Sequence, residues 1–168
     1  MTGSVGPRTP YSVLKWLSAG AALVVVGDQW AKAWARTILD TQRLLPWPGW
    51  IELRLVENRG TAGGWGDGGL LRWLLVVGAA GLVVWLGSWG LRRSLSPLRA
   101  LSLGALIGGI SSNTIDRVFS GYVTDFISLY CGSWLGVGTL NPADLAIIVG
   151  LALWMPDAAS HGRAMRPE

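Results

Sequence analysis

Leu70–Leu91, LLRWLLVVGAAGLVVWLGSWGL, decides the fold class of this chain. Only Arg72, near one end, interrupts it. As a helix rising about 1.5 Å per residue, it is long enough to cross a hydrocarbon core about 30 Å thick. Three further apolar runs accompany it, at about residues 13–34, 98–118 and 140–155. With 51% hydrophobic and 14% charged residues, and 11 tryptophans in 168, the chain departs from soluble domains, where about a quarter of residues are charged. The fold class expected is an all-α membrane protein. It forms a single integral membrane domain over residues 1–168, with four transmembrane helices at about 13–34, 70–91, 98–118 and 140–155 and both termini on one side.

Orientation rests on Lys and Arg near the helix ends, with short loops weighted most. The short connection RRSLSPLR carries Arg92, Arg93 and Arg99 and no acidic residue, while Arg8, Lys15, Arg163 and Arg166 lie in the terminal flanks. These seven mark the cytoplasmic side. The seven others, Lys32, Arg36, Arg43, Arg54, Arg59, Arg72 and Arg117, fall opposite, so the short loop decides. Both termini are expected in the cytoplasm. The first apolar run could also be read as a cleaved signal peptide, because two positive charges precede a 12-residue apolar core, Trp16 to Gly27, and A-x-A-like triplets follow that core at Ala31–Ala33 and Ala33–Ala35. Asp28 and Lys32, spaced i, i+4, can however form an ion pair on one helix face, which favours a retained helix.

The extracytoplasmic segment, about 35–69, is too polar and too rich in Pro and Gly to cross. Within it Ile51-Glu52-Leu53-Arg54-Leu55 alternates strictly and predicts a short strand, a small β element beside the helices. The glycine-rich ENRGTAGGWGDGG after it lacks the spacing of a phosphate-binding loop. Trp30, Trp34, Trp47, Trp50, Trp65 and Trp73 gather on this side, as an interfacial aromatic belt would.

Ionisable residues at membrane depth are costly and are by default candidates for function. Asp144 lies 11 residues before Met155, roughly 17 Å up a helix, and Asp28 lies 13 residues after Lys15, roughly 20 Å up. Asp28 has Lys32 as partner. Asp144 has no basic neighbour in sequence, so its partner must come from elsewhere. The best source is GGISSNTIDRVFSGYVTDFISL, where Gly121 permits a turn and Val123–Ile127 returns toward the membrane with Asp125 between apolar residues. Two carboxylates brought together could share one proton and activate a water. The plainer alternative for Asp125 is a helix cap or a solvent-facing acid. Asp116 reads as an interfacial ion-pair residue beside Arg117. Cys131 is the only cysteine, expected as a packed or lipid-facing thiol, and the only histidine, His161, lies in the polar tail, which excludes Ser/His and Cys/His nucleophile systems.

The chain resembles the signal peptidase II family, the lipoprotein signal peptidases, over about Gly27 to Gly150. Five blocks carry the resemblance: Asp28-Gln29-Trp30-Ala31-Lys32, Asn58-Arg59-Gly60, Gly108 to Arg117, Val123 to Phe126, and Asn141-Pro142-Ala143-Asp144. It implies a four-helix inner-membrane aspartic endopeptidase that removes the signal peptide from lipid-modified prolipoproteins by cutting before the diacylglyceryl cysteine. By the same resemblance Asp125 and Asp144 are the catalytic dyad. Asn113 and Asn141 orient the dyad or its water, Asn58, Gly60 and Arg117 belong to the substrate-binding set, and Asp28 with Lys32 is a structural pair. It implies no cofactor and no metal. The partners are a diacylglyceryl-modified prolipoprotein and membrane lipid, with no nucleic acid, and we expect a monomer. The location implied is the bacterial cytoplasmic (inner) membrane, with the active site toward the outer side. Two departures stand out: Thr61-Ala62-Gly63 where the family usually has A-A-F, and Ser112 where a glycine usually precedes Asn113. The rival class is a non-catalytic membrane protein, either a proton-coupled carrier using Asp28 and Asp144 or an inactive relative that binds prolipoproteins.

Overall fold

The computed structural model describes residues 9–40, 44–60, 69–131 and 135–154. Four helices and four strands follow one another as α1 (Pro10–Ile38), β1 (Leu44–Trp47), β2 (Ile51–Asn58), α2 (Gly69–Leu91), α3 (Pro97–Phe119), β3 (Val123–Cys131), β4 (Leu135–Leu140) and α4 (Pro142–Ala152). Three of the helices begin alike. Thr9, Ser96 and Asn141 each cap a helix whose first residue is proline. The cap side chain accepts an N–H that the helix cannot satisfy, and the proline occupies the position where its missing N–H costs nothing.

Helices α1 and α3 run parallel and closer than side chains normally allow. A Cβ on Gly20 would lie 2.7 Å from the carbonyl oxygen of Leu101, and one on Gly108 would lie 2.7 Å from that of Ala21. Helix α4 lies antiparallel to α3, with Gly109 against Ala143 and Gly150 against Ser102, and the end of α2 meets Leu103 and Leu17 at Gly90. The four helices thus alternate in direction. Lys15, Arg92, Arg93 and Arg99 come to one end of the bundle, and Lys32, Arg36, Arg72 and Arg117 to the other half. Helices α1 and α2 are long and apolar enough to cross a membrane. The α4 residues described form an 11-residue helix, shorter than the run 140–155, because Asn141-Pro142 starts it two residues later and it ends at Ala152.

The β element is larger than the single strand expected. The strands form one antiparallel sheet in the order β1-β2-β3-β4, with β2 and β3 in the middle. Gly121, at φ +84°, turns the chain from α3 into β3, whose β-branched and aromatic residues suit a strand buried on both faces. Pairing of Val56 with Asp125, and of Asn58 with Val123, places Asn58 diagonal to Asp125. Pairing of Ile127 with Leu140 brings the residue after β4, Asn141, beside Asp125 from the other side.

Among the described residues two apolar clusters hold the fold. One joins Val13 and Leu17 of α1 to Leu95, Ala100, Leu103, Leu106 and Ile107. The other joins Ala35 and Leu39 to Phe126, with Leu53, Leu55 and Ile127 packed on it. Between them α1 and α3 contribute a buried polar layer, Asp28, Lys32, Ser112, Asn113 and Asp116, which meets Thr124, Asp125 and Asn141. Trp30, Trp47, Trp50 and Trp73 are exposed at this half of the molecule, and Trp65 lies outside the described residues.

Candidate active site

The polar layer holds two carboxylates on either side of Asn141. Asp125, on β3, is 1% exposed. Its Oδ1 accepts from the Asn141 side-chain amide at 2.6 Å and its Oδ2 from that of Asn58 at 2.9 Å. Asp144, in the first turn of α4, is half-buried. Its Oδ1 accepts from Asn113 Nδ2 at 2.8 Å and its Oδ2 from the Asn141 backbone N–H at 3.1 Å. The partner that Asp144 lacks in sequence is therefore a pair of amides and not a cation. Every carboxylate oxygen of the pair receives one neutral donor, which leaves a lone pair on each for water or a proton. Burial pushes the Asp125 carboxyl up to about 6, against the opposing pull of the Asn58 and Asn141 amides.

Local sequence explains why an aspartate sits there. Asn141 is the N-cap of α4, and Asp144 is the third helical residue. The Asn141 side chain accepts the Asp144 N–H at 3.0 Å while the Asp144 carboxylate accepts the Asn141 N–H, a capping box. An anion in a helix's first turn is favoured by the exposed N–H groups as well.

Behind the pair lies an ion network. Lys32 Nζ is 2.7 Å from Asp28 Oδ2 and 2.9 Å from Asp116 Oδ2, with all three side chains buried, and Arg36 Nη2 is 3.5 Å from Asp116 Oδ1. Asp116 therefore pairs with α1, not with its neighbour Arg117. Asp28 also accepts from the Ser112 hydroxyl at 2.7 Å and, through Oδ1, from the Ala143 N–H at 2.9 Å. Gln29 donates to Ser112 Oγ and to Asp116 Oδ1, both at 3.0 Å. The hydroxyl at the Ser112 departure is thus absorbed into the network, whereas Thr61, Ala62 and Gly63 lie outside the described residues.

Arg117 spans from α3 to the bend after β2. Its Nη2 donates to the Gly60 carbonyl at 3.2 Å and its Nη1 to the Asn113 carbonyl at 3.3 Å, while the Gly60 N–H donates to Asn58 Oδ1 at 3.2 Å. Its buried Nε has no partner among the described residues. Asn58, Asn113 and Asn141 thus converge on Asp125 and Asp144, Gly60 and Arg117 join them through Asn58 and Asn113, and Asp28 and Lys32 sit one layer behind. Sequence reasoning gave no role to Gln29, Arg36 or Thr124, which bind Asp116 and one another: Arg36 donates to Thr124 Oγ1 at 2.6 Å, and the Thr124 N–H donates to Asp116. One signal was present, since Asp28, Lys32 and Arg36 form an i, i+4, i+8 ladder on one face of α1. Cys131 is exposed and free, and His161 lies outside the described residues.

Residues 20–159 match the profile of the family described as Signal peptidase (SPase) II. The lipoprotein signal peptidase of Methylorubrum extorquens (strain PA1) is 38% identical over 128 residues, covering 74% of each chain. That of Neisseria gonorrhoeae (strain ATCC 700825 / FA 1090) is 33% identical over 165 residues, covering 96% of each. A bacterial membrane enzyme solved by the in meso method at 2.3 Å resolution superposes with a TM-score of 0.72 over 89% of this chain and 91% of that one, at 21% identity, a likeness of fold. A family profile over most of the chain, with relatives at this identity along nearly its whole length, places the chain in the signal peptidase II family.

Proposed function

We propose that Asp125 and Asp144 are the catalytic dyad with which this aspartic protease removes the signal peptide from prolipoproteins, cutting before the diacylglyceryl cysteine. The observation that carries the assignment is their convergence on Asn141, which donates to both carboxylates from its side chain and its backbone. Two close carboxylates in a poorly solvated site cannot both ionise cheaply, so one proton is shared. The ionised carboxylate takes a proton from water, and the resulting hydroxide attacks the scissile carbonyl. The protonated carboxylate polarises that carbonyl and then returns a proton to the leaving amine. Two carboxylates and a water suffice for this hydrolysis. Asn113 and Asn141 orient the dyad, and Asn58, Gly60 and Arg117 form the side that faces substrate backbone. A proton-carrying role for Asp28 is disfavoured, because its oxygens are already taken by Lys32, Ser112 and the Ala143 N–H.

All four helices belong to one integral membrane domain of the bacterial inner membrane, with both termini in the cytoplasm and the sheet on the outer side. The alternating helix directions support this, as does the collection of Lys15, Arg92, Arg93 and Arg99 at the end of the bundle away from the aspartates. With 11 helical residues rising about 1.5 Å each, α4 covers about half of a 30 Å core, so its first turn and Asp144 lie below the outer surface. A site at that depth suits a substrate whose cysteine carries diacylglyceryl chains, with the protein acting as a monomer. The test is incubation of the purified protein with a lipidated precursor peptide and its unlipidated twin. Cleavage before the modified cysteine of the first alone is expected, and equal cleavage of both would remove the lipid from the recognition scheme.

A further inference from the structure

Lys32 is 0% exposed, and its ammonium has three close acceptors: Asp28 Oδ2 at 2.7 Å, Asp116 Oδ2 at 2.9 Å and Asn113 Oδ1 at 2.9 Å. Charge balance needs only the first two, because Asp28 and Asp116 together offset Lys32 and Arg36. The third contact reaches into the dyad. Asn113 Oδ1 also accepts from Asn141 Nδ2 at 3.2 Å, so both lone pairs of that oxygen are engaged by donors. Turning the amide over would set its N–H groups against an ammonium, which cannot accept, and against another amide N–H. Asn113 is therefore confined to the orientation in which its nitrogen faces Asp144 Oδ1, at 2.8 Å.

We propose that Lys32 is a positioning residue of the protease: its ammonium fixes the Asn113 amide so that it donates to Asp144. The proposal rests on the dyad reading and adds to it a route from α1 to the reacting carboxylate. A second link runs the same way. Asp28, held by Lys32, accepts the Ala143 N–H and ties the first turn of α4, one residue before Asp144, to α1. The pair that would otherwise count as structural thus has an activity role separable from its share in stability.

The test uses the full-length protein and a lipidated precursor peptide. Lys32→Met alone leaves the layer with an excess negative charge, so it is combined with Asp116→Asn, which restores neutrality between Asp28 and Arg36, and is compared with Asp116→Asn alone. The double variant should melt cooperatively and keep KM within about twofold while kcat falls about tenfold or more, because a hydrogen bond to a charged group is lost from the reacting geometry. In an Asn113→Ala background the same Lys32 change should cost markedly less than in the parent, because only the link through Asp28 and the Ala143 N–H remains. An unchanged kcat in the folded double variant would overturn the proposal. So would a Lys32 effect of full size without Asn113, or a charge-balanced variant that does not fold. Turnover by Asp125→Asn or Asp144→Asn would strike the dyad reading itself, whatever Lys32 does.

Discussion

Asn141 and Asp144 cap each other: the Asn141 side chain accepts the Asp144 N–H at 3.0 Å, and the Asp144 carboxylate accepts the Asn141 N–H at 3.1 Å. One local motif therefore starts a helix, orients one carboxylate and, through the same asparagine amide, reaches the other at 2.6 Å. Serine at position 141 can still cap the helix but has no amide to offer Asp125. Asn141→Ser should keep the melting temperature near that of the parent while turnover falls about tenfold or more, and Asn141→Ala should lose about 1 kcal/mol of stability as well. Thermal melts and single-turnover rates on the two variants check this, and full activity in Asn141→Ser would show that the bridge to Asp125 is idle.

The dyad assignment has a direct test. Each carboxylate supplies a proton-transfer role that the other cannot fill alone, so Asp125→Asn and Asp144→Asn should each lower turnover by about a hundredfold or more with the protein still in the membrane. Asp116→Asn should lower stability through the lost contacts to Lys32 and Arg36 and retain most of the turnover per folded molecule. Turnover near the parent rate in either dyad variant would end the assignment.

What the sequence made legible was local. The Asp28–Lys32 pair follows from i, i+4 spacing, and the start of α4 follows from Asn-Pro-Ala-Asp, which carries a cap, a first-turn proline and an acid three residues on. The alternation at Ile51–Leu55 foretold part of β2. The rest depends on segments far apart in the chain. Strand β3 is buried on both faces and so shows no alternation, and β4, LGVGTL, is interrupted by two glycines and carries little strand signal. The pairing of β3 with β2 across more than sixty residues, and of β4 with β3, is what sets Asn58 and Asn141 on either side of Asp125. Lys32 and Arg36 likewise reach Asp116 through the α1–α3 contact: their ladder on α1 is visible in the sequence, but not that Asp116 of α3 meets it.

That contact predicts a stability difference between glycines. A Cβ on Gly108 would meet the Ala21 carbonyl oxygen at 2.7 Å and its Cα at 2.9 Å, both backbone atoms that cannot swing aside. Gly108→Ala should cost about 1–3 kcal/mol, in the range for overpacking, and should lower activity too by drawing Lys32 from Asn113. Gly81→Ala on α2, where nothing lies within 4 Å, should be neutral or slightly stabilising. Thermal unfolding in one detergent ranks the two, and equal melting temperatures would mean that α1 and α3 are not so closely packed.

The topology can be read with fused reporters. A reporter active only in the cytoplasm should work when fused after Glu168 and fail when inserted near Gly68, if the α2–α3 connection with Arg92, Arg93 and Arg99 faces the cytoplasm as proposed. The reverse pattern would invert the protein and put the aspartates on the wrong side for exported substrates.

The shared proton predicts how activity and stability part company with pH. Burial sets the Asp125 carboxyl at about 6, above its ordinary value of 3.8. As pH falls through that region the dyad takes up its second proton, no base remains, and turnover should drop; at high pH both carboxylates are ionised and turnover should drop again, with both limbs belonging to the pair. Asn58→Ala removes a donor that holds Asp125 in its charged form, so the acidic limb should move to higher pH. Stability carries the opposite sign. A folded-state value raised above the unfolded one means that protonation of Asp125 favours the fold, a contribution complete below about 3.8 and lost as pH rises through about 6. Acid should therefore silence the enzyme before it unfolds it, with activity recovered in full on return to neutral pH and chelators without effect on the profile. Turnover held constant from pH 7 to 4, or lost in step with the melting transition, would mean that Asp125 does not titrate as part of the reacting pair.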